Sequence, residues 1–207
     1  TKLFLTIKFM KFGQKSNMLL VKWDPISCDT LWTWTYDFIG KSDKAISIVL
    51  DAAGNIYLTG RSDNSTVDTT NNSDIVTMKF DSNGNVLWSA PRYNGSGNLR
   101  DEPVKIILDN NGNVIVGGRT ENIHDDDFVI LKYNSITGAP VWGAPVTWAS
   151  PFANDDRIND IVVDAFNNIF VCGFAQKASG NAPQDGVVLK YDSAGINITG
   201  AYLIGDD

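Results

Sequence analysis

The strongest constraint on this chain is that it repeats itself. The stretch IVTMKFDSNGNVLW at Ile75–Trp88 is answered by NMLLVKWD…LW at Asn17–Trp32, by DFVILKYNSITGAPVW at Asp127–Trp142 and by DGVVLKYDSAGINIT at Asp185–Thr199. The lysines that mark the copies, Lys22, Lys79, Lys132 and Lys190, stand 57, 53 and 58 residues apart. A second phrase runs between copies: VLDAAGNIYLTG at Val49–Gly60, ILDNNGNVIVGG at Ile107–Gly118 and VVDAFNNIFVCG at Val162–Gly173. A fixed period in this range is the signature of a repeat architecture, in which each unit buries its apolar face against the next.

No sustained helical spacing of apolar residues is present. Gly, Asn, Asp and Pro interrupt the chain every eight to twelve residues, and the runs between them are rich in Val, Ile, Tyr, Phe and Trp, the all-β pattern. Each period holds four such runs, A to D. The second has Ala45–Leu50, Asn55–Gly60, Asp74–Phe80 and Val86–Tyr93; the third Val104–Leu108, Val114–Arg119, Phe128–Tyr133 and Val141–Trp148. The fourth has Ile158–Val163, Asn168–Phe174, Gly186–Tyr191 and Ile196–Leu203. The first lacks A and keeps B at Leu3–Lys8, C at Met18–Trp23 and D at Leu31–Tyr36, with LFLT at Leu3–Thr6 set where IYLT stands at Ile56–Thr59.

The A–B and C–D connections are short turns such as Asp51–Asn55, Asp109–Asn113, Asp164–Asn168, Asp81–Asn85 and Asp192–Gly195. Aspartate opens such a turn by bonding the backbone two residues on, and Gly or Asn takes the position of positive φ. A calcium loop would need a longer ligand series ending in a distal glutamate, so these read as hairpins. The B–C and D–A connections are long and dissimilar: Arg61–Ser73, Arg119–Asp126 and Ala175–Gln184, then Asn94–Glu102 and Ala149–Asp156. In an up-and-down sheet the short turns share one end and the long loops the other.

Four-stranded antiparallel units repeated in this way are blades of a β-propeller. We therefore expect an all-β propeller segment: a partial blade over 1–40, then blades at 41–97, 98–150 and 151–205. With fifteen strands and no first strand A, an open arc of just under four blades cut from a larger propeller is expected, with the remaining blades of the parent as neighbours. The lack of an initiator Met fits a trimmed chain. The D-strand aromatics Trp32, Trp34, Trp88, Trp142 and Trp148 should pack between blades, and Thr199 replaces that Trp in the last copy.

Composition narrows the function classes. A formal charge of −7 and a pI near 4.6 argue against nucleic acid or an anionic membrane surface as partner. No apolar run reaches the length of a membrane span, and Lys8 and Lys11 break the apolar start too soon for a signal peptide. The two cysteines, Cys28 and Cys172, are expected as free thiols, with Cys172 packed as a small hydrophobe.

The segment Ile75–Thr120 closely resembles the bacterial β-propeller repeat called SBBP, whose marks are a KY/F-N/D-x-x-G turn, a following Trp, an RYNGxGN…D loop and a D-x-x-GN hairpin. The resemblance covers nearly the whole chain and is sharpest around Tyr93–Asn98. It implies a large secreted or surface-exposed bacterial protein, hence an extracellular or cell-surface location, and it carries no catalytic residues. KYNSITGAPVW at Lys132–Trp142 also looks like the tryptophan-docking repeat of quinoprotein dehydrogenases, which lacks the GN hairpin. The GN stretch is similar to NHL repeats, which are shorter.

Few residues suggest chemistry. His124 stands alone in His124–Asp127, without zinc spacing or a nucleophile elbow. Acid pairs recur before strand A: Asp101-Glu102, Asp155-Asp156 and Asp206-Asp207, with Asp43 alone in the first copy. A ring of such acids is a weak candidate for a hard cation, calcium first, or for a basic partner; capping of each acid's own loop is the preferred reading. A second recurrent acid, Asp74, Asp127 and Asp185, opens strand C. With Arg100 and Arg157, His124, Asp125 and Asp126 make up a candidate ligand face on the loop end. No cofactor is implied. The reading is a non-enzymatic module binding protein or glycan through its long loops; the alternative is a hydrolase or lyase using paired acids among the same loops.

Overall fold

The structure, a computed structural model, describes residues 4–12, 15–65, 72–152, 154–177, 183–198 and 202–204, the first and last of these by their backbone alone. Among them, fifteen strands form four antiparallel sheets, each in chain order. The first sheet is β1 (Phe4–Phe12), β2 (Lys15–Trp23) and β3 (Thr30–Tyr36). The second is β4 (Asp43–Leu50), β5 (Ile56–Asp63), β6 (Ser73–Phe80) and β7 (Val86–Ser89). The third is β8 (Asp101–Leu108), β9 (Val114–Glu121), β10 (Asp126–Tyr133) and β11 (Val146–Trp148). The fourth is β12 (Asp156–Val163), β13 (Ile169–Gln176), β14 (Gln184–Tyr191) and β15 (Tyr202–Ile204). This is the expected arc of blades, with hairpins at one end and long loops at the other.

The core lies between sheets. Met18 and Leu20 pack on Ile56, Leu58, Val76 and Phe80; Tyr57, Ile75 and Trp88 on Val114, Val129 and Tyr133; Ile115 and Ile130 on Val171, Val187 and Leu189. A sheet with both faces covered is apolar on both, and β6 and β10 are buried along nearly their whole lengths.

One device fixes the register of every complete blade. The innermost strand carries a bulge at the same place three times, between Ala45 and Ser47, Pro103 and Lys105, and Ile158 and Asp160. Opposite the bulges stand Gly60, Gly118 and Gly173, and a Cβ on any of them would run into the carbonyl oxygen of Lys44, Glu102 or Arg157. The recurrent glycine is therefore a contact requirement of the bulge. The first sheet has no inner strand, and Lys8 occupies its glycine position. The pairing of Phe4 with Trp23, against Ile56 with Phe80, shows this alignment to be one residue later than LFLT suggests. A slip of one residue exchanges the two faces of a strand.

A second device joins the blades at the hairpin end. Lys79 Nζ and Trp88 Nε1 both donate, at 2.9 Å, to the carbonyl of Ser135 in the next blade's C–D turn. Lys22 and Trp32 do the same to Ser82, and Lys132 and Trp142 to Ser193. The indole lies on the turn's left-handed glycine: a Cβ on Gly84 would be 2.9 Å from Trp32, and one on Gly138 2.8 Å from Trp88. The tryptophans are thus interblade packing, as expected. The turns hold their own shape through Asp51, Asp81, Asp109, Asp164 and Asp192, whose carboxylates accept backbone N–H groups two and four residues on.

Several boundaries differ from expectation. The D strands are shorter, because Pro91 interrupts the second and Pro140, Gly143 and Pro145 the third; a proline offers no N–H to a ladder. The A strands start earlier, at Asp43, Asp101 and Asp156. Cys172 is exposed rather than packed, because the outer face of the fourth sheet is open: Val162 is 51% and Val188 39% accessible. The proposed contact of Leu3 with Ile196–Leu203 falls partly outside the described residues.

Candidate functional site

The loop end is organised by one aspartate per complete blade. Asp43, Asp101 and Asp156, the first residues of β4, β8 and β12, are fully buried. One oxygen of each accepts a backbone N–H of the preceding loop: Phe38 donates to Asp43 at 2.8 Å, Gly95 to Asp101 at 2.7 Å, and Ser150 to Asp156. The Ser62 hydroxyl donates to the other oxygen of Asp43, and the hydroxyls of Thr120 and Ser150 lie beside Asp101 and Asp156. Burial pushes all three carboxyls up to about 6, and the nearby charges of Asp74 and Asp127 add to it at Asp101 and Asp156. These aspartates cap their own loops.

The register also dissolves the apparent acid pairs. Asp101 faces Thr120 and Asp156 faces Ala175, at the position where Asp43 faces Ser62. Asp156 is therefore the equivalent of Asp101, and Arg157 that of Glu102. What recurs is a single acid, and Asp155 belongs to the loop before it. Asp206 and Asp207 lie outside the described residues.

Glu102 and Asp155 instead belong to a ladder of ion pairs across three blades. Arg61 and Arg119 hold Glu102; Arg119 reaches on to Asp126; Arg157 bonds Asp126 at 3.0 Å and Asp155 at 2.8 Å. Arg100 lies 3.3 Å from Glu121 and 3.8 Å from Asp126. Burial raises the Glu102 carboxyl, but its arginines outweigh that and hold it below the usual glutamate range. Four arginines meet four carboxylates, so the ladder is neutral in itself and presents no surplus charge to a cation. The strand-C acids are also occupied: Asp74 by Arg92, Asp127 by Asn122 and Asp185 by Lys177.

Of the proposed ligand face, Asp126 is buried, and Arg100 and Arg157 serve the ladder. Asp125 and His124 lie on a pinned turn: Asn122 Oδ1 accepts the backbone N–H groups of His124 at 2.7 Å and Asp125 at 3.1 Å, while its amide donates to Asp125 and Asp127. That turn lifts Ile123 to 77% accessibility and leaves His124 exposed.

Two features were missed by reasoning from sequence. Where strand D of the third blade breaks, Pro91, Tyr93, Tyr133, Pro140, Trp142 and Pro145 line a groove of about 160 Å³, which the proline spacing of 140–145 signals. Ile26, Ile136 and Phe166 stand at hairpin tips with accessibilities of 82–91%, where polar turn chemistry was the only expectation. Neither that groove, nor the cleft beside Trp23 and Pro25, nor the one on the fourth sheet brings two carboxylates together. Among the described residues no group of three or more His, Cys, Asp or Glu side chains is placed to hold a metal, and no helix is long and apolar enough to cross a membrane.

Neither a family model nor a curated protein matches the sequence. Among solved structures, a protein of unknown function from Dyadobacter fermentans superposes with a TM-score of 0.62 at 9% identity, over 94% of this chain and 60% of the other. The chain thus spans about 60% of that neighbour's length, and the likeness concerns the fold alone. A protein of unknown function from Bacteroides caccae (TM-score 0.38, 12% identity, 92% of this chain and 78% of the other) and a streptogramin B lyase (0.32, 9%, 99% and 88%) are more distant.

Proposed function

We propose that this chain is a non-enzymatic interaction module that binds protein or glycan through its long-loop end. The resemblance of its repeat to SBBP places it in a secreted or cell-surface protein. The observation that carries the reading is the division of labour at that end. The carboxyls with raised pKa are sealed inside their own loops, whereas Ile123 and His124 are exposed on a turn that Asn122 holds rigid. A binding tip ordered beforehand loses little entropy on contact.

The test is retention of the chain on a glycan array and against a displayed peptide library, repeated with Ile123→Asp. A ligand held by the parent chain and weakened about tenfold by the variant, the worth of about 1.4 kcal/mol, supports the proposal. Ligands bound equally by both, or none in either screen, would overturn it. Glycan cleavage that is lost in both Asp101→Asn and Asp156→Asn would install the hydrolase or lyase reading in its place.

A further inference from the structure

The two outermost blades present the two halves of an interface that the molecule builds three times internally. On the donating side, Val49, Tyr57 and Thr77 of the second blade are covered by the third, and Ile107, Ile115 and Ile130 of the third by the fourth. The pairing register puts Val162, Phe170 and Val188 at these same positions in the fourth blade. There the face is open: Ile130 is 1% accessible and its equivalent Val188 39%. Lys190 lies over the Phe170 ring at 5.0 Å as Lys79 lies over Tyr57 at 4.9 Å, and Lys79 makes that contact while donating to the next blade.

On the accepting side, Phe80, Tyr133 and Tyr191 precede turns whose second residue, Ser82, Ser135 or Ser193, offers its carbonyl to the preceding blade. In the first blade the same positions are Trp23 and Pro25. No blade covers them: Trp23, Asp24, Pro25 and Cys28 line a cleft of about 300 Å³ at the place where Trp32, Trp88 and Trp142 sit in the later turns.

We propose that a second copy of this chain docks head to tail, its fourth blade seated on the first blade of its neighbour. Val162, Phe170 and Val188 would meet Leu19, Val21 and Trp23, and Lys190 would donate to the Pro25 carbonyl. The occupant follows from the interface itself, since each chain carries one complementary half at each end. Such a heterologous contact either closes into a ring or continues as a filament. The proposal stands apart from the loop-end reading, because it uses neither the loops nor their ligand.

Sedimentation of the full chain over a range of concentrations tests it, together with thiol labelling of Cys172. We expect concentration-dependent assembly, with Cys172 labelling slowed about tenfold at about ten times the dissociation constant. Val188→Glu blocks the donating face and Trp23→Glu the accepting one. Each variant should sediment as a monomer, and an equimolar mixture should form a one-to-one dimer through the two intact faces. Circular dichroism establishes that both variants fold; if Trp23→Glu does not, Leu19→Glu takes its place. A parent chain that stays monomeric with unchanged Cys172 labelling would overturn the proposal. So would assembly that persists in Val188→Glu, or a mixture that stays monomeric.

Discussion

Cys28 has φ of 61°, at the turn position where the third blade has Gly138 with φ of 72°. Asp24 and Asn134 shape the two turns alike, each accepting two backbone N–H groups. A side chain in the left-handed region costs roughly 1 kcal/mol relative to glycine. Cys28 is exposed and makes no buried contact to offset that cost. Cys28→Gly should therefore stabilise the chain by about 1 kcal/mol, read as a higher urea midpoint with unchanged slope. A lower midpoint would show that the thiol contributes to the turn. The other recurrent glycines carry a different demand. Gly60, Gly118 and Gly173 sit opposite bulges, where the obstacle is a neighbouring carbonyl and not their own φ.

At the scale of the strand pair, the Lys–Trp latch on a serine carbonyl is the recurring contact. Trp88 contributes a ring on Gly138 and an N–H to Ser135, and Lys79 donates to that same carbonyl. Trp88→Phe keeps most of the ring and leaves the carbonyl bonded, so it should cost about 1 kcal/mol. Trp88→Ala vacates the seat and should cost about 4 kcal/mol, both by equilibrium unfolding. Equal losses would mean that the indole N–H, not the ring, is the anchor. The strand order, the turns and the role of the tryptophans were legible in the sequence, because each is written in neighbouring residues or in the repeat period. The acid pairs were misread because a run such as Asn154–Arg157 does not reveal the bulge downstream, which sets Asp156, not Asp155, level with Asp101. The ion ladder was hidden for a related reason: Arg61, Glu102, Arg119, Asp126 and Arg157 meet only when three sheets are stacked.

For the whole molecule, acid and base limits of stability arise from different ends. Asp43, Asp101 and Asp156 have folded pKa values of about 6, above the 3.8 of a free aspartate, so between these values the folded chain holds protons that the unfolded chain has lost. Their contribution is full below the unfolded value and disappears as the pH rises through 6. The turn aspartates Asp51, Asp81, Asp109 and Asp164, with pKa values held down by hydrogen bonds, contribute above their unfolded value and lose it as the pH falls through the folded one. The melting temperature should accordingly be highest between roughly pH 4 and 6, and Asp101→Asn should flatten the decline above pH 6. A melting temperature that climbs from pH 5 to pH 8 would contradict the burial of these three groups. The latch has a consequence for inheritance as well. Because each unit carries both the donating pair and the accepting turn, a tandem duplication of one period would insert a blade that already fits the units on either side. A chain of this kind lengthens by copying, without first having to evolve a matching surface.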